Sequence, residues 1–157
     1  MKKLDALNQV AEFHKTFEHP ILDQPTIPAK KRCDLRVSLI QEELNELQEA
    51  IENNDLVEVA DALCDIQYVL SGAVLEFGLG DLFPTLFDEV QRSNMSKTCK
   101  TKEEAEATQV HYKKTKGVDS YIKQKGDIWL VFRASDNKTL KSINYSPADI
   151  VGLLKDK

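Results

Sequence analysis

Basic side chains are missing from a long internal stretch of this sequence. From Val37 to Gln91 the chain contains no lysine, arginine or histidine, whereas residues 41–65, QEELNELQEAIENNDLVEVADALCD, contain nine acidic side chains. Burying an uncompensated carboxylate is costly, so a folded form of this stretch needs a bound cation, protonation, or bases from elsewhere in the chain.

Other absences exclude whole classes of protein. The sequence has no apolar run of the roughly 18 residues that a membrane-spanning helix needs. Its net charge of −5 argues against general binding of nucleic acid, because phosphate backbones attract basic surfaces. The N-terminal residues lack the apolar core of a signal peptide, and the three cysteines form no CxxC pair and no zinc spacing. We therefore expect a cytoplasmic protein that contacts neither a membrane nor a nucleic-acid polymer.

Apolar residues recur three and four apart in the first part of the chain, which predicts four helices. Their expected bounds are residues 3–17, 35–52, 56–77 and 81–93. Three prolines between residues 20 and 28 favour an extended, ordered connection, and Asp34 is expected to cap the second helix. His14 and Phe17 on the first helix are interpreted as core residues, with a base pocket as the alternative.

The composition changes after Asn94, where lysines return. We predict a helix at residues 103–112, a β-hairpin with strands at 128–133 and 139–143, and a short helix that starts at Ser146-Pro147. The expected fold class is all-α, an antiparallel bundle of four to five helices with a small C-terminal β-hairpin. Residues 1–98 are expected to form the catalytic helical core, and residues 99–157 a C-terminal extension.

The acids of the second and third helices do not all point to solvent. On a helical wheel at about 100° per residue, Glu43 falls inside the apolar arc of the second helix and Glu46 falls on its margin. The third helix is apolar almost all round, and Glu58, Asp61 and Asp65 follow one narrow stripe along it. A short turn joins the two helices, so they would lie antiparallel with their acidic stripes able to face each other.

A divalent metal ion is the simplest way to neutralise such facing carboxylates. Protonation of four or five clustered acids at neutral pH would need large coupled pKa shifts, and no base is close in sequence. Oxygen ligands select hard cations, so we expect Mg²⁺, with Mn²⁺ as a substitute. A solvated acidic face is the alternative for the first stripe taken alone.

The spacing of these acids resembles a known signature. Glu42-Glu43-x-x-Glu46, followed after a short turn by Glu58-x-x-Asp61, is similar to the EExxE…ExxD pattern of the all-α NTP pyrophosphatase superfamily, which includes MazG-like proteins, phosphoribosyl-ATP pyrophosphohydrolases and dimeric dUTPases. The segment QRSNMSKT resembles a phosphate-contacting stretch of MazG-like members, and TLKSINYSPADI resembles the tail of a related subgroup. The resemblance covers residues 10–97 well and the tail more loosely.

This resemblance implies the fold of the MazG-like bundle and hydrolysis of a nucleoside triphosphate between the α and β phosphates. The implied roles of the matching residues are metal binding by Glu43, Glu46, Glu58 and Asp61, catalysis by Glu42 and Glu43, and phosphate or nucleotide contact by Arg92, Asn94 and Lys97. Asp65 is an outer ligand or has a capping or supporting role. Arg32 and Arg36, which precede the acidic block, are further cations available to phosphates.

The sequence also bears on rival classes of protein. A di-iron bundle needs Glu-x-x-His motifs, which the three histidines do not provide, and an EF-hand needs a loop that is missing. A non-catalytic dimeric helical module that binds nucleotide or a basic protein stays open as the alternative to an enzyme. In both cases the apolar third helix needs more cover than one chain supplies, which predicts a homodimer or a dimer of dimers.

Overall fold

The computed structural model describes residues 4–155, so the helix start predicted at Lys3 lies outside the described residues. Within that range the chain forms six helices and a two-stranded sheet, which confirms a helix-rich fold with a C-terminal hairpin. The bounds are α1 (Ala6–Thr16), α2 (Lys30–Glu52), α3 (Leu56–Glu76), α4 (Phe83–Met95), α5 (Lys102–Lys116), β1 (Ser120–Lys125), β2 (Ile128–Arg133) and α6 (Ile150–Lys155).

The chain divides into two compact units, the first ending at Phe83 and the second beginning at Pro84. The first unit holds α1 to α3, and α3 packs against both α1 and α2. The second holds nearly all of α4 together with α5, the hairpin and α6. The catalytic boundary placed at residue 98 stays a prediction. No helix within residues 4–155 is both long and apolar enough to cross a membrane.

Helices α2 and α3 form an antiparallel hairpin around a three-residue turn. The side chain of Asp55 accepts hydrogen bonds from the backbone N–H groups of Val57 and Glu58, so it caps the first turn of α3. Helix α2 begins at Lys30, one turn earlier than predicted. The predicted cap at Asp34 is therefore wrong: Asp34 lies inside the helix and pairs with Lys30 one turn before it, at 2.6 Å.

A buried carboxylate joins the open end of this hairpin. Glu76, in the last turn of α3, is fully buried and accepts hydrogen bonds from Arg32 and Arg36 in the first turns of α2. Burial by itself would raise the pKa of Glu76, but the two guanidinium groups outweigh it and hold that pKa below its ordinary value. The two chain ends of the hairpin are thus fixed against each other by charge.

His14 of α1 joins the same network. Its Nδ1 lies 2.9 Å from the carbonyl oxygen of Pro20, and its Nε2 lies 3.2 Å from Nη2 of Arg36. Because a carbonyl can only accept and a guanidinium can only donate, the proton is on Nδ1 and the imidazole is neutral. Burial lowers the pKa of His14, which agrees with that assignment. The prediction that His14 is a core residue is confirmed, whereas Phe17 is exposed.

The proline-containing connection between α1 and α2 is ordered, as predicted, and follows the end of α3. The backbone N–H groups of Leu22 and Thr26 donate to the carbonyls of Leu75 and Phe77. Gly78 has a φ of +67°, and a Cβ at that position would lie 1.9 Å from the carbonyl oxygen of Gln24. Only glycine fits both the backbone conformation and this close approach.

Helix α3 is only partly buried within the chain. Its buried residues lie mainly in the C-terminal half, whereas Leu56 and Val57 remain 79% and 75% exposed, and Leu63 and Leu70 are also exposed. Helices α1 and α2 cover only part of its surface, which agrees with the expectation that one chain supplies too little cover for this helix. The homodimer stays a prediction.

The C-terminal hairpin forms one strand earlier than predicted. β2 matches the first predicted strand, but its partner is β1, which pairs with it antiparallel across a turn at Gly126-Asp127. Gly126 has a φ of +57°, as a tight hairpin turn needs. The predicted strand at residues 139–143 is wrong: it makes a single bridge, between Thr139 and Phe132. Leu140 still packs with Cys99, Ala105 and Val131 in the core of this unit.

The last helix also differs from its prediction. It begins at Ile150, and Asp149 rather than Ser146 supplies the side chain that accepts the hydrogen bond of the first turn, from the N–H of Gly152. Ser146 is instead engaged with Arg92 and Ser96. Helix α5 is longer than predicted, because Thr101 caps its start and Gly117 ends it.

The network around Glu76 gives a first prediction. Glu76→Gln should lower the free energy of unfolding by about 3 kcal/mol, because two guanidinium groups then share a neutral amide in place of their carboxylate. Urea denaturation followed by circular dichroism measures this change. Glu12→Gln, which alters an exposed acid of α1, is the control, and equal stabilities of the two variants would contradict the role of Glu76.

The neutral His14 gives a second prediction. Its pKa is lower in the folded protein than its ordinary value of 6.5, so the unfolded chain binds more protons. The stability that His14 contributes is therefore complete above that value and is lost as the pH falls below it. We expect the free energy of unfolding to fall from about pH 7.5 to about pH 5.5, and the slope to be smaller in His14→Gln. An unchanged slope would refute the assignment.

Candidate metal centre

Glu43 is the least exposed member of the acidic group on α2. Glu42 and Glu46 are exposed, whereas Glu43 is half-buried, as its position on the helical wheel predicts. Its Oε2 atom is shielded from solvent and has no hydrogen-bond partner among the described residues. Such a buried, unsatisfied oxygen costs roughly 1–3 kcal/mol, so its retention calls for a reason.

Acids of both helices act on this carboxylate. Burial raises the pKa of Glu43, and the negative charges of Glu46, Asp65, Glu42 and Asp61 raise it further. Asp61 and Asp65 belong to α3, so the hairpin brings the acidic stripes of the two helices together. No basic group contributes to this pKa shift, in contrast to the compensated carboxylate of Glu76.

Glu58 lies nearer the closed end of the hairpin. It lines an open depression of about 400 Å³ together with Glu46, Asn53 and Asp55. Glu58 is not among the charges that act on Glu43, whereas Glu46 takes part in both groups. The acids therefore form a row along the hairpin, from Glu58 through Glu46 to Glu43 and its neighbours on α3.

The row fits a hard cation by its chemistry. It offers only carboxylate oxygens, one of them buried without a partner, and carboxylates without bases are the ligands that Mg²⁺ and Mn²⁺ select. In their present rotamers, no three His, Cys, Asp or Glu side chains within residues 4–155 lie close enough together to hold a metal. The ligand set of Glu43, Glu46, Glu58 and Asp61 stays a prediction.

The other predicted site residues lie in the second unit, at the end of α4 and just after it. Arg92 forms two hydrogen bonds to Glu89, at 2.7 and 2.8 Å, and also donates to Ser146 and to the carbonyl of Pro147. Its guanidinium lowers the pKa of Glu89 to about 2. The Nζ of Lys97 donates to the side chain of Asn94 at 2.7 Å. Phosphate contact by these three residues stays a prediction.

The segment after the hairpin packs on this part of α4. Tyr145 and Ser93 share a hydrogen bond of 2.9 Å, and Ser96 bonds to the backbone of Ser146. The two C-terminal segments singled out in the sequence, QRSNMSKT and TLKSINYSPADI, thus contact each other. Their separation along the chain concealed this contact.

Sequence reasoning also missed the partner of Glu76. Arg32 and Arg36 were interpreted as cations available to phosphates, but both bind Glu76. One signal was present: two arginines one turn apart at the start of α2, and a single acid near the end of an apolar α3.

The helical part of the chain is similar to a known protein family. The model of a family described as phosphoribosyl-ATP pyrophosphohydrolase matches residues 10–94, more than half of the chain and all of α2 and α3. The chain is also similar to the uncharacterized protein L479 of Acanthamoeba polyphaga mimivirus, with 40% identity over 78 residues. That similarity covers 45% of this chain and 30% of the viral protein, so the chain matches less than a third of that relative.

The unpaired carboxylate gives a third prediction. In metal-free buffer, Glu43→Gln should raise the free energy of unfolding by about 1 kcal/mol, because it removes a repelled and partly buried charge. Since the pKa of Glu43 is raised in the folded state, this gain should be present at neutral pH and disappear below the ordinary value of 4.5. Thermal unfolding with and without Mg²⁺ measures both effects.

Glu52→Gln is the matched control, because Glu52 is an exposed acid on the same helix and does not line the depression beside Glu58. Mg²⁺ should stabilise the wild type and the control by mass action, and should stabilise Glu43→Gln much less. Equal stabilisation of all three proteins would contradict a metal centre at Glu43.

Proposed function

The chain belongs to the phosphoribosyl-ATP pyrophosphohydrolase family, and from this premise we propose that it hydrolyses a nucleoside triphosphate between the α and β phosphates, giving a nucleoside monophosphate and pyrophosphate. The family supports pyrophosphohydrolase activity on nucleotides in general. The observation that carries the proposal for this chain is the buried, unpartnered oxygen of Glu43 facing the acids of α3.

The proposed ligands of Mg²⁺, for which Mn²⁺ can substitute, are Glu43, Glu46, Glu58 and Asp61. The ion would supply positive charge that offsets the charge developing on the leaving pyrophosphate. Asp65, half-buried beside Glu43, would orient the ligands from α3. The hairpin supplies this set on two rigid helices whose register is fixed by Glu76.

Glu42 and Glu43 are the proposed catalytic residues. Glu42 is exposed on α2 beside the ligands, where its carboxylate can accept a proton from the attacking water. A bond forms between the water oxygen and the α-phosphorus, and the bond from that phosphorus to the bridging oxygen breaks. Glu43 would contribute by helping to hold the Mg²⁺ ion near the reacting phosphates.

Arg92, Asn94 and Lys97 are the proposed contacts to phosphate and nucleotide. Each has donors, and guanidinium and ammonium groups bind phosphate oxygens well. In the free protein Arg92 donates to Glu89, and Lys97 donates to the side-chain oxygen of Asn94, so substrate would replace those acceptors with phosphate oxygens.

A homodimer or a dimer of dimers is part of the proposal. The exposed leucines and valine of α3 form an apolar surface that a second chain would cover. The activity would serve control of nucleotide pools or removal of unwanted nucleotides. The alternative is a non-catalytic dimeric module that binds nucleotide or a basic protein through the same acidic row.

Turnover tests the proposal. Purified protein should release pyrophosphate from at least one member of a panel of ribo- and deoxyribonucleoside triphosphates and phosphoribosyl-ATP, only when Mg²⁺ or Mn²⁺ is present. Glu43→Gln and Asp61→Asn should each lower kcat/KM by about a hundredfold or more, because each removes a metal ligand. Glu52→Gln, an exposed acid on α2, is the control and should retain activity.

Two results would decide against the enzyme. Absence of pyrophosphate release with every nucleotide and both metals would favour the binding module. Full activity in Glu43→Gln would show that the acidic row does not carry out the reaction.

A further inference from the structure

The two edges of the C-terminal sheet differ. On the β2 edge, the backbones of Trp129 and Cys99 exchange two hydrogen bonds, and the carbonyl of Val131 accepts from the N–H of Leu140. The backbone groups of the odd-numbered residues of β2 therefore point away from β1, and those of the even-numbered residues bond to it. The strand register then directs the backbone groups of the even-numbered residues of β1 away from β2.

The edge of β1 is open over residues 122–125, which we call the open edge. The N–H and C=O groups of Ile122 and Gln124 face away from β2, and no hydrogen-bond partner meets them within residues 4–155. The carbonyl of Ser120, at the start of the strand, is occupied by the side chain of Gln109 at 2.6 Å. A row of unpaired backbone groups can pair with a further strand.

Two lysines stand on the open edge without a paired acid. Lys123 and Lys125 are exposed, and neither forms an ion pair in the described part of the chain. Asp119, just before the strand, is held by Lys113 at 2.7 Å. The second unit contains 13 basic and 10 acidic side chains, so its net charge is opposite in sign to that of the whole chain. The open edge therefore attracts acidic segments.

The two faces of the open edge differ in polarity. Lys123 and Lys125 lie on the outer face, opposite the half-buried Leu130 and Ile128 of β2. Ile122 lies on the inner face and packs against the core of this unit. A strand added beside β1 would meet lysines on one face and an apolar side chain on the other. The matching segment alternates acidic residues with apolar or β-branched ones.

Charge argues against a second copy of β1 as the added strand. In an antiparallel pair of two β1 strands centred on Gln124, Lys123 of each strand stands opposite Lys125 of the other, and like charges in that position destabilise a sheet. Most acids of the first unit lie on α2 and α3, which are helices. The connection between α1 and α2 contains three prolines, which suits it poorly for strand pairing. The added strand must come from another protein.

We propose that the open edge binds an extended acidic segment of a partner protein by strand addition. Backbone hydrogen bonds to Ile122 and Gln124 hold the segment, and its acidic side chains pair with Lys123 and Lys125. The same lysines disfavour a second copy of β1, so they select an acidic partner and prevent self-association. This interaction is separate from the acidic row and from the proposed hydrolysis.

Two labelled peptides test the charge requirement by fluorescence anisotropy. A peptide of glutamate alternating with threonine should bind the full chain, and the same peptide with glutamine in place of glutamate should bind about tenfold more weakly or worse. Lys123→Glu should weaken binding of the glutamate peptide by a similar factor. Lys114→Glu is the matched control, because Lys114 is an exposed lysine on α5 that forms no ion pair among the described residues.

Gln124→Pro tests strand addition itself. The N–H of Gln124 faces away from β2, so proline removes one donor of the open edge and leaves the bonds between β1 and β2 in place. Binding of the glutamate peptide should fall about tenfold or more, whereas Gln124→Thr, which keeps the N–H, should bind as the wild type does. Circular dichroism checks that both variants fold. If Gln124→Pro does not fold, hydrogen exchange of the wild type replaces it: the peptide should protect the amide of Ile122, and an unprotected amide overturns the proposal.

Other occupants of the open edge would give different results. Equal binding of the glutamate and glutamine peptides, or full binding by Lys123→Glu, would overturn the proposal. Tighter binding of labelled oligothymidylate than of the glutamate peptide would assign the lysines to nucleic acid. Self-association of the wild type that is lost in Gln124→Pro would assign the edge to a second copy. The peptide assay contains no metal and no nucleotide, so its result is independent of pyrophosphate release.

Discussion

The rest of the first unit depends on the contact of Glu76 with Arg32 and Arg36. It fixes how far α2 and α3 slide past each other, since a shift by one turn would leave a buried carboxylate and a buried guanidinium without partners. From Arg36, about two turns along α2 lead to Glu43, and from Glu76, about three turns back along α3 lead to Asp65. The register set at one end of the hairpin thus brings the acids of the two helices together further along it.

The α2–α3 hairpin contains two carboxylates in opposite electrostatic environments, Glu76 and Glu43. Glu76 receives two guanidinium groups and needs nothing more, whereas Glu43 is surrounded by four other acids and receives no base. No basic residue lies between Val37 and Gln91 to compensate them. The contrast between the paired Glu76 and the unpaired Glu43 supports the proposed cation site at Glu43.

Periodicity predicted the helices of the first unit because each presents an apolar face to a neighbour, and the acid spacing predicted which carboxylate is half-buried. Neither pattern could predict the Glu76 network, because Arg36 and Glu76 are 40 residues apart in the sequence and such a contact leaves no local pattern. The hairpin was misplaced because β1, with the sequence SYIKQK, has few apolar residues and is held mainly by its turn and its pairing with β2. The strand predicted at residues 139–143 is wrong because the apolar side chain of Leu140 packs in the core and is not part of a paired strand.

The connection between α1 and α2 has a consequence for synthesis of the chain. The N–H groups of Leu22 and Thr26 obtain their acceptors from Leu75 and Phe77, and His14 obtains a buried place only when Arg36 is held by Glu76. On the ribosome, the N–H groups of Leu22 and Thr26 therefore lack their native acceptors until Leu75 and Phe77 have emerged. These native contacts of the connection between α1 and α2 can form only after the whole α2–α3 hairpin has been synthesised.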